Sequence, residues 1–202
     1  QQLKKQGINK DLVFSVPSGN FGNICAGIVA NRLGLPIHHF VASTNVNDTV
    51  PRYLQTQEYN PNPSKQTISN AMDVGNPSNF IRIQSLYEND FNALKQQFSS
   101  YAFDDNQTQI ALKDLYENHN YVADPHGAVG YLGLQKYMQE NPNTHGVFLE
   151  TAHPIKFRDT VEENLKITLD IPEQIQHILD KTPKKTALKD YDALKAYLLQ
   201  RA

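Results

Sequence analysis

Residues 17–23, Pro-Ser-Gly-Asn-Phe-Gly-Asn, are the stretch whose types and spacing point most directly to chemistry. Two glycines permit positive φ and a close approach of backbone to a ligand. The residues before them, Leu12 to Val16, are an apolar, β-branched run that reads as a buried strand, which Pro17 ends by removing a ladder donor. Those after them open a helix at about Asn23 or Ile24, with Ile24, Ile28 and Leu33 on one face and small Ala26, Gly27 and Ala30 between. Strand, glycine turn and helix start together aim backbone N–H groups and a helix dipole at an anion. The turn lacks the Lys-Ser/Thr of a P-loop and the three-glycine spacing of a dinucleotide fingerprint. The chemistry is therefore that of a small ligand's phosphate, with an ordinary strand-to-helix turn as the alternative.

Three further polar clusters follow predicted strands. They are Ser43-Thr44-Asn45 after Ile37–Ala42, Asp124–Gly127 after Tyr121–Ala123, and Thr151–Pro154 after Gly146–Glu150. Strands alternating with helices imply a parallel sheet covered on both faces, whose ligands sit beyond the carboxyl ends of the strands. All four turns then share one rim. His38 and His39 alternate across a strand and cannot serve one metal. Cys25, the single cysteine, sits in an apolar helix and reads as a small buried hydrophobe; one cysteine forms no internal disulfide and fits a reducing cytoplasm.

Composition sets the outer bounds. The 202 residues suffice for one α/β domain, and a formal net charge of −2 is no nucleic-acid footprint. No basic run or long apolar span suggests a membrane, and no wide apolar stripe suggests more than a monomer. Asn47-Asp48 can cap a helix to about Gln55. Residues 57–79 have no period and read as an ordered loop beside a site. Tyr87, Phe91, Leu94 and Phe98 read as one amphipathic helix, followed by helices over about 107–118 and from Gly127 past Tyr137. Strands cease at about Asp159. There a helical extension over 159–202, docked on the domain, carries a short helix opened by Pro172, a basic linker at 181–185 and a last helix through Leu188, Tyr191, Leu194 and Leu198. The start, with no initiator Met and a core strand within a dozen residues, reads as a cut, in a helix that ends at Gly7.

Five ordered stretches resemble threonine synthases, which are fold-type II pyridoxal-phosphate enzymes. They are Pro17-Ser-Gly-Asn-Phe-Gly-Asn23, Thr44-Asn-Val-Asn-Asp48, Ala71 to Phe80, Asp124-Pro-His-Gly-Ala-Val-Gly130 and Thr151-Ala-His-Pro-Ile-Lys-Phe157, with Ile155 standing where the family has Ala. The resemblance implies a cytoplasmic enzyme that turns O-phospho-L-homoserine and water into L-threonine and phosphate, with pyridoxal 5'-phosphate as electron sink. Carried over by position, Gly19, Asn20, Phe21, Gly22 and Asn23 bind the cofactor phosphate and Thr151 meets the pyridine nitrogen. Asn45, Asp48, Asp73 and Asn79 shape the pocket or form turns; His126 and His153 are polar contacts or helix caps; Lys156 is an exposed charge.

The resemblance also implies what is missing. The family's Schiff-base lysine lies well upstream of the phosphate loop, whereas here only Lys4, Lys5 and Lys10 precede Ser18, flanking the entry to the first strand. The chain thus resembles a carboxyl-terminal half, without the lysine and without the smaller cofactor-covering domain. Two other readings stand beside it: another fold-type II enzyme such as a serine or threonine dehydratase, and a non-catalytic homologue that binds a small phosphorylated ligand.

Overall fold

The computed structural model describes residues 2–7, 10–178, 181–182 and 184–201. Pro183, inside the basic linker, lies outside them. The chain forms two compact units, Gln1–Leu169 and Asp170–Ala202.

Unit one is built on four parallel strands, β1 (Leu12–Pro17), β2 (His39–Thr44), β3 (Phe98–Ala102) and β4 (His145–Phe148), in the order β3-β2-β1-β4. Helices cover both faces, as the alternation of strand and helix requires. On one face Val16, Phe40, Ala42 and Phe98 pack under α2 (Gly22–Arg32), α3 (Thr49–Thr56), α4 (Phe80–Leu86) and α5 (Phe91–Gln97), through Ile24, Ile28, Val50, Leu54, Phe80, Ile83 and Leu94. On the other, Val13 and Val41 meet Leu134 and Tyr137 of α7 (Pro125–Glu140). A second layer, α6 (Asp105–His119) with α8 (Arg158–Leu165), packs on α7 through Ala111, Leu112, Leu115, Ala128, Val161 and Leu165. Before β1 stands a single helical turn, α1 (Gln2–Lys5), followed by Gly7 at φ 73°. His39 and His38 do point apart: His39 is buried, stacked on Tyr137 with centroids 4.5 Å apart, while His38 is half exposed beside Asp11.

One apolar face also holds a polar ladder. Ser15 Oγ donates to the Gly130 carbonyl at 2.6 Å and lies 2.9 Å from Ser43 Oγ. A Cβ on Gly133 would fall 1.8 Å from Ser43 Oγ, so that glycine makes room for the buried hydroxyl.

Two predicted elements differ. The helix read through Tyr87, Phe91, Leu94 and Phe98 is broken. Glu88 and Asn89 both take left-handed φ, Asp90 caps α5 by accepting from Asn92 N and Ala93 N, and Phe98 begins β3. The 4-3-4 spacing marked a shared burial, since Tyr87, Leu94 and Phe98 enter one core cluster. Pairing with β2 then makes 98–102 a strand. Tyr121–Ala123, read as a strand, runs without ladder partners. Pro17 does not end the ladder: it pairs with Ser43, and Ser18 N donates to the Ser43 carbonyl at 2.8 Å.

In unit two, Pro172 directly precedes the short α9 (Glu173–Gln176), with no side-chain cap bond. Asp190 caps α10 (Tyr191–Leu199) by accepting from Ala193 N at 2.9 Å.

Candidate phosphate loop and its surroundings

The 18–23 turn joins β1 to α2 at the carboxyl end of β1, and β4, which leads to Thr151, is hydrogen-bonded to β1. The strand order reverses at this pair: the chain steps outward through β2 and β3, then returns across β1 to β4. Such switch points open a crevice between the two departing loops.

The glycines act differently from expectation. Neither Gly19 nor Gly22 has positive φ; Phe21 does, at 61°, as the residue preceding α2. Its ring is buried and meets Phe80 edge-on at 5.8 Å, so core packing holds a backbone conformation that a bulky residue rarely adopts. Gly19 is needed for space: a Cβ there would lie 2.6 Å from Met72 Cα. No N–H from Gly19 to Ile24 has a hydrogen-bond partner among the described residues, and no side chain caps the helix. Six consecutive donors at a helix start, beside an exposed Gly22 and Asn23, form a cradle for an anion.

Asn20 turns its side chain to a neighbouring loop. Its Oδ1 accepts from Ser78 N at 2.7 Å and from Ser78 Oγ at 3.0 Å, and its carbonyl accepts from Asn79 Nδ2 at 2.9 Å. Residues 78–79 therefore hold the turn in place, and Asn79 acts on the turn's backbone. Asn45 and Asp73 are the knot of the long 57–79 loop. Asn45 Nδ2 donates to Asp73 Oδ1 at 2.8 Å and to Thr67 Oγ1 at 2.9 Å, while Asp73 accepts from Thr67 N and Oγ1. Asp48 makes no cap bond; it accepts from Arg52 Nε at 2.9 Å. His153 caps the 3₁₀ turn Pro154–Phe157 by accepting from Ile155 N at 3.2 Å. Thr151 is exposed, with no hydrogen-bond partner among the described residues. Cys25 is buried, and burial pushes its thiol pKa up.

The Asp124 turn reaches the rim without a preceding strand. Asp124 caps α7 through His126 N at 2.7 Å and holds His126 Nδ1 at 2.5 Å, so His126 is the partner of a cap rather than the cap itself. Asp124 N donates to Glu150 Oε1 at 3.2 Å, and a Cβ on Gly127 would strike the Glu150 carboxyl. Glu150 was absent from the sequence candidates; its one signal is a carboxylate closing the apolar run Gly146–Leu149. Burial, reinforced by the adjacent Asp124, pushes its pKa up to about 9. Burial opposes ionisation of Asp124 too, but hydrogen bonds from the His126 ring and backbone N–H outweigh it and hold Asp124 below the ordinary range. Asp124 Oδ2, His126 Nε2 and Glu150 Oε2 are buried without partners among the described residues. At neutral pH this cluster is one carboxylate beside one carboxylic acid.

Comparison with known proteins agrees with the motifs. A family model described as the C-terminal region of threonine synthase matches residues 127–198. Threonine synthase from Escherichia coli K12 is 45% identical over 179 residues, which is 89% of this chain and 41% of that protein. The crystal structure of the Escherichia coli enzyme superposes with TM-score 0.87 at 41% identity, covering 96% of this chain and 44% of the other. A PLP-bound threonine synthase from Brucella melitensis does so with TM-score 0.85 at 26% identity, covering 98% and 48%. The chain spans less than half the length of the relatives it matches. Its parallel sheet with helices on both faces is the fold of the matched region, and over nearly its whole length the chain is similar to the carboxyl-terminal part of threonine synthases.

Proposed function

We propose that these residues are the carboxyl-terminal part of a pyridoxal-phosphate-dependent threonine synthase that converts O-phospho-L-homoserine and water to L-threonine and phosphate. The observation that carries this reading is the run of N–H groups from Gly19 to Ile24 that have no partner among the described residues, at a glycine turn in a chain similar to threonine synthases. In this reading 159–202 is the enzyme's helical extension.

The residues present fit the cofactor. The N–H groups of Gly19, Asn20, Phe21, Gly22 and Asn23 would take its phosphate, with the α2 dipole behind them. Asn20 Oδ1 is held by Ser78, so its side chain serves to fix the loop while its backbone binds. Thr151, without a hydrogen-bond partner among the described residues, would donate its hydroxyl proton to the ring nitrogen; a hydroxyl, unlike an aspartate, does not favour a protonated ring. When bound, the cofactor supplies the electron sink for elimination and rehydration.

The chain offers no lysine from before the loop to carry the cofactor. Lys5 and Lys10 precede β1 and so stand at the opposite end of a six-residue strand, about 20 Å from the rim. The test is to mix the purified chain with pyridoxal phosphate, reduce with borohydride, and map adducts by mass spectrometry while measuring phosphate release from O-phosphohomoserine. We expect no specific stoichiometric adduct and no turnover. One adduct at a single lysine, with turnover, would show that the 202 residues suffice and that an upstream lysine is not required.

A further inference from the structure

Beyond β4 the chain carries Thr151 to the rim on a stretch with little backbone support. The last ladder bond runs from Leu149 N to the Ser15 carbonyl at 3.0 Å, and the next backbone bond is Lys156 N to the His153 carbonyl, also at 3.0 Å. Between them, no backbone N–H or C=O of Glu150, Thr151 or Ala152 has a partner among the described residues. Thr151 is exposed and Ala152 only half-buried. A stretch with so few backbone bonds and so little burial opens at little cost unless something else ties it down.

The Glu150 side chain is that tie. Its Oε1 accepts from Asp124 N at 3.2 Å, and its Oε2 is buried in the space that a Cβ on Gly127 would occupy. At the far end of the 3₁₀ turn, Phe157 rests on the His126 ring with centroids 4.6 Å apart. The start of α7 thus clasps the Thr151 stretch from both sides, through Glu150 on Asp124 and Gly127 and through Phe157 on His126. The clasp is itself fixed, since Asp124 caps α7 through His126 N and pairs with His126 Nδ1. Burial pushes the Glu150 pKa up to about 9, so at neutral pH it stands beside Asp124 as an acid and not as a second buried charge. With Glu150 turned into α7, Thr151 is left exposed at the rim.

We propose that Glu150 is the positioning residue of Thr151: its carboxyl, seated on the start of α7, fixes the stretch 150–152 and so sets where the Thr151 hydroxyl stands. The inference deepens the proposed function, because Thr151 is the residue assigned to the cofactor's ring nitrogen. It rests on that reading, but its first readout is the order of the chain itself, with no cofactor and no turnover.

The experiment compares the parent chain with Glu150→Gln, which keeps the acceptor for Asp124 N, and Glu150→Ala, which removes it. NMR relaxation of the backbone amides should give order parameters at Thr151 and Ala152 of about 0.85 in the parent and the Gln variant, and below about 0.6 in the Ala variant. The Asp124 amide should exchange about tenfold faster in the Ala variant alone, while the Leu149 amide, held by Ser15, stays unchanged. If Glu150→Ala does not fold, Gly127→Ala displaces the same carboxyl from the opposite side and should loosen the same two residues. In a full-length protein containing this chain, Glu150→Ala should lower kcat about tenfold with little change in KM and shift the absorption band of the bound cofactor, whereas Gln retains both parent values. Thr151 and Ala152 equally ordered in every variant, a loss of urea stability with the cofactor band unmoved, or a Gln variant that behaves like Ala would each overturn the proposal. A loosened Thr151 in the Ala variant, beside a full-length parent that forms no threonine, would leave the tether standing and remove the functional reading.

Discussion

Replacing Glu150 by Gln isolates the most unusual ionisation in the molecule. An acid whose folded pKa is about 9 against an ordinary 4.5 binds a proton more tightly folded than unfolded. The sign follows: its neutral form suits the fold, the stability it contributes is fully present below pH 4.5, and that stability is lost as pH rises towards 9. Across that window one extra proton in the folded state costs at most about 1.4 kcal/mol per pH unit, or about 3 kcal/mol between pH 6 and pH 8. Asp124 shares the proton and Glu150 retains some exposure, which together reduce the expected loss to about half, roughly 1–2 kcal/mol. Gln keeps the acceptor for Asp124 N, stays neutral at every pH, and offers an N–H to the orphaned Asp124 Oδ2. Urea unfolding of both proteins at half-unit steps from pH 5.5 to 8.5 measures the difference curve, in which all other groups cancel. The variant should gain on the parent steadily as pH rises. Parallel curves would refute the protonated Glu150, and a variant losing ground at high pH would reverse the assigned sign.

Other outcomes follow from single contacts. Gly19→Ala sets a Cβ 2.6 Å from the Met72 backbone and should cost about 1–3 kcal/mol, while abolishing phosphate-induced shifts of the 19–24 amides in NMR titration. In the parent chain those shifts should saturate at millimolar phosphate, about 4 kcal/mol of binding. Asn45→Ala leaves Asp73 and Thr67 without a shared donor, so limited proteolysis should cut within 57–69 at least tenfold faster, with a loss of about 1–3 kcal/mol on urea unfolding. In a full-length protein containing this chain, Thr151→Val should lower kcat by roughly ten- to hundredfold, equivalent to about 1–3 kcal/mol, while the cofactor is retained on dialysis. Unchanged kcat would remove Thr151 from the site.

Local signals in the chain determined a great deal. The apolar run to Val16, the glycine turn and the thin-faced helix behind it were legible because each is specified by neighbours within a dozen residues. So were β4, the opposite orientations of His38 and His39, and the capping role of His153. Tertiary structure decided the rest. The sequence assigned positive φ to the glycines, but Phe21 takes it, because its buried ring against Phe80 outweighs the backbone cost. Residues 98–102 have a helical spacing before them and become a strand only through the ladder to β2. Asn20 reads as a phosphate contact, and Asn45 and Asp73 as pocket or turn residues, until partners 58, 22 and 6 positions away show their side chains bracing loops. Glu150 carries no mark of its protonation in its own neighbourhood of the chain. Its raised pKa arises only where α7 brings Asp124 and Gly127 against the end of β4, since desolvation and charge proximity are properties of packed space rather than of order along the chain.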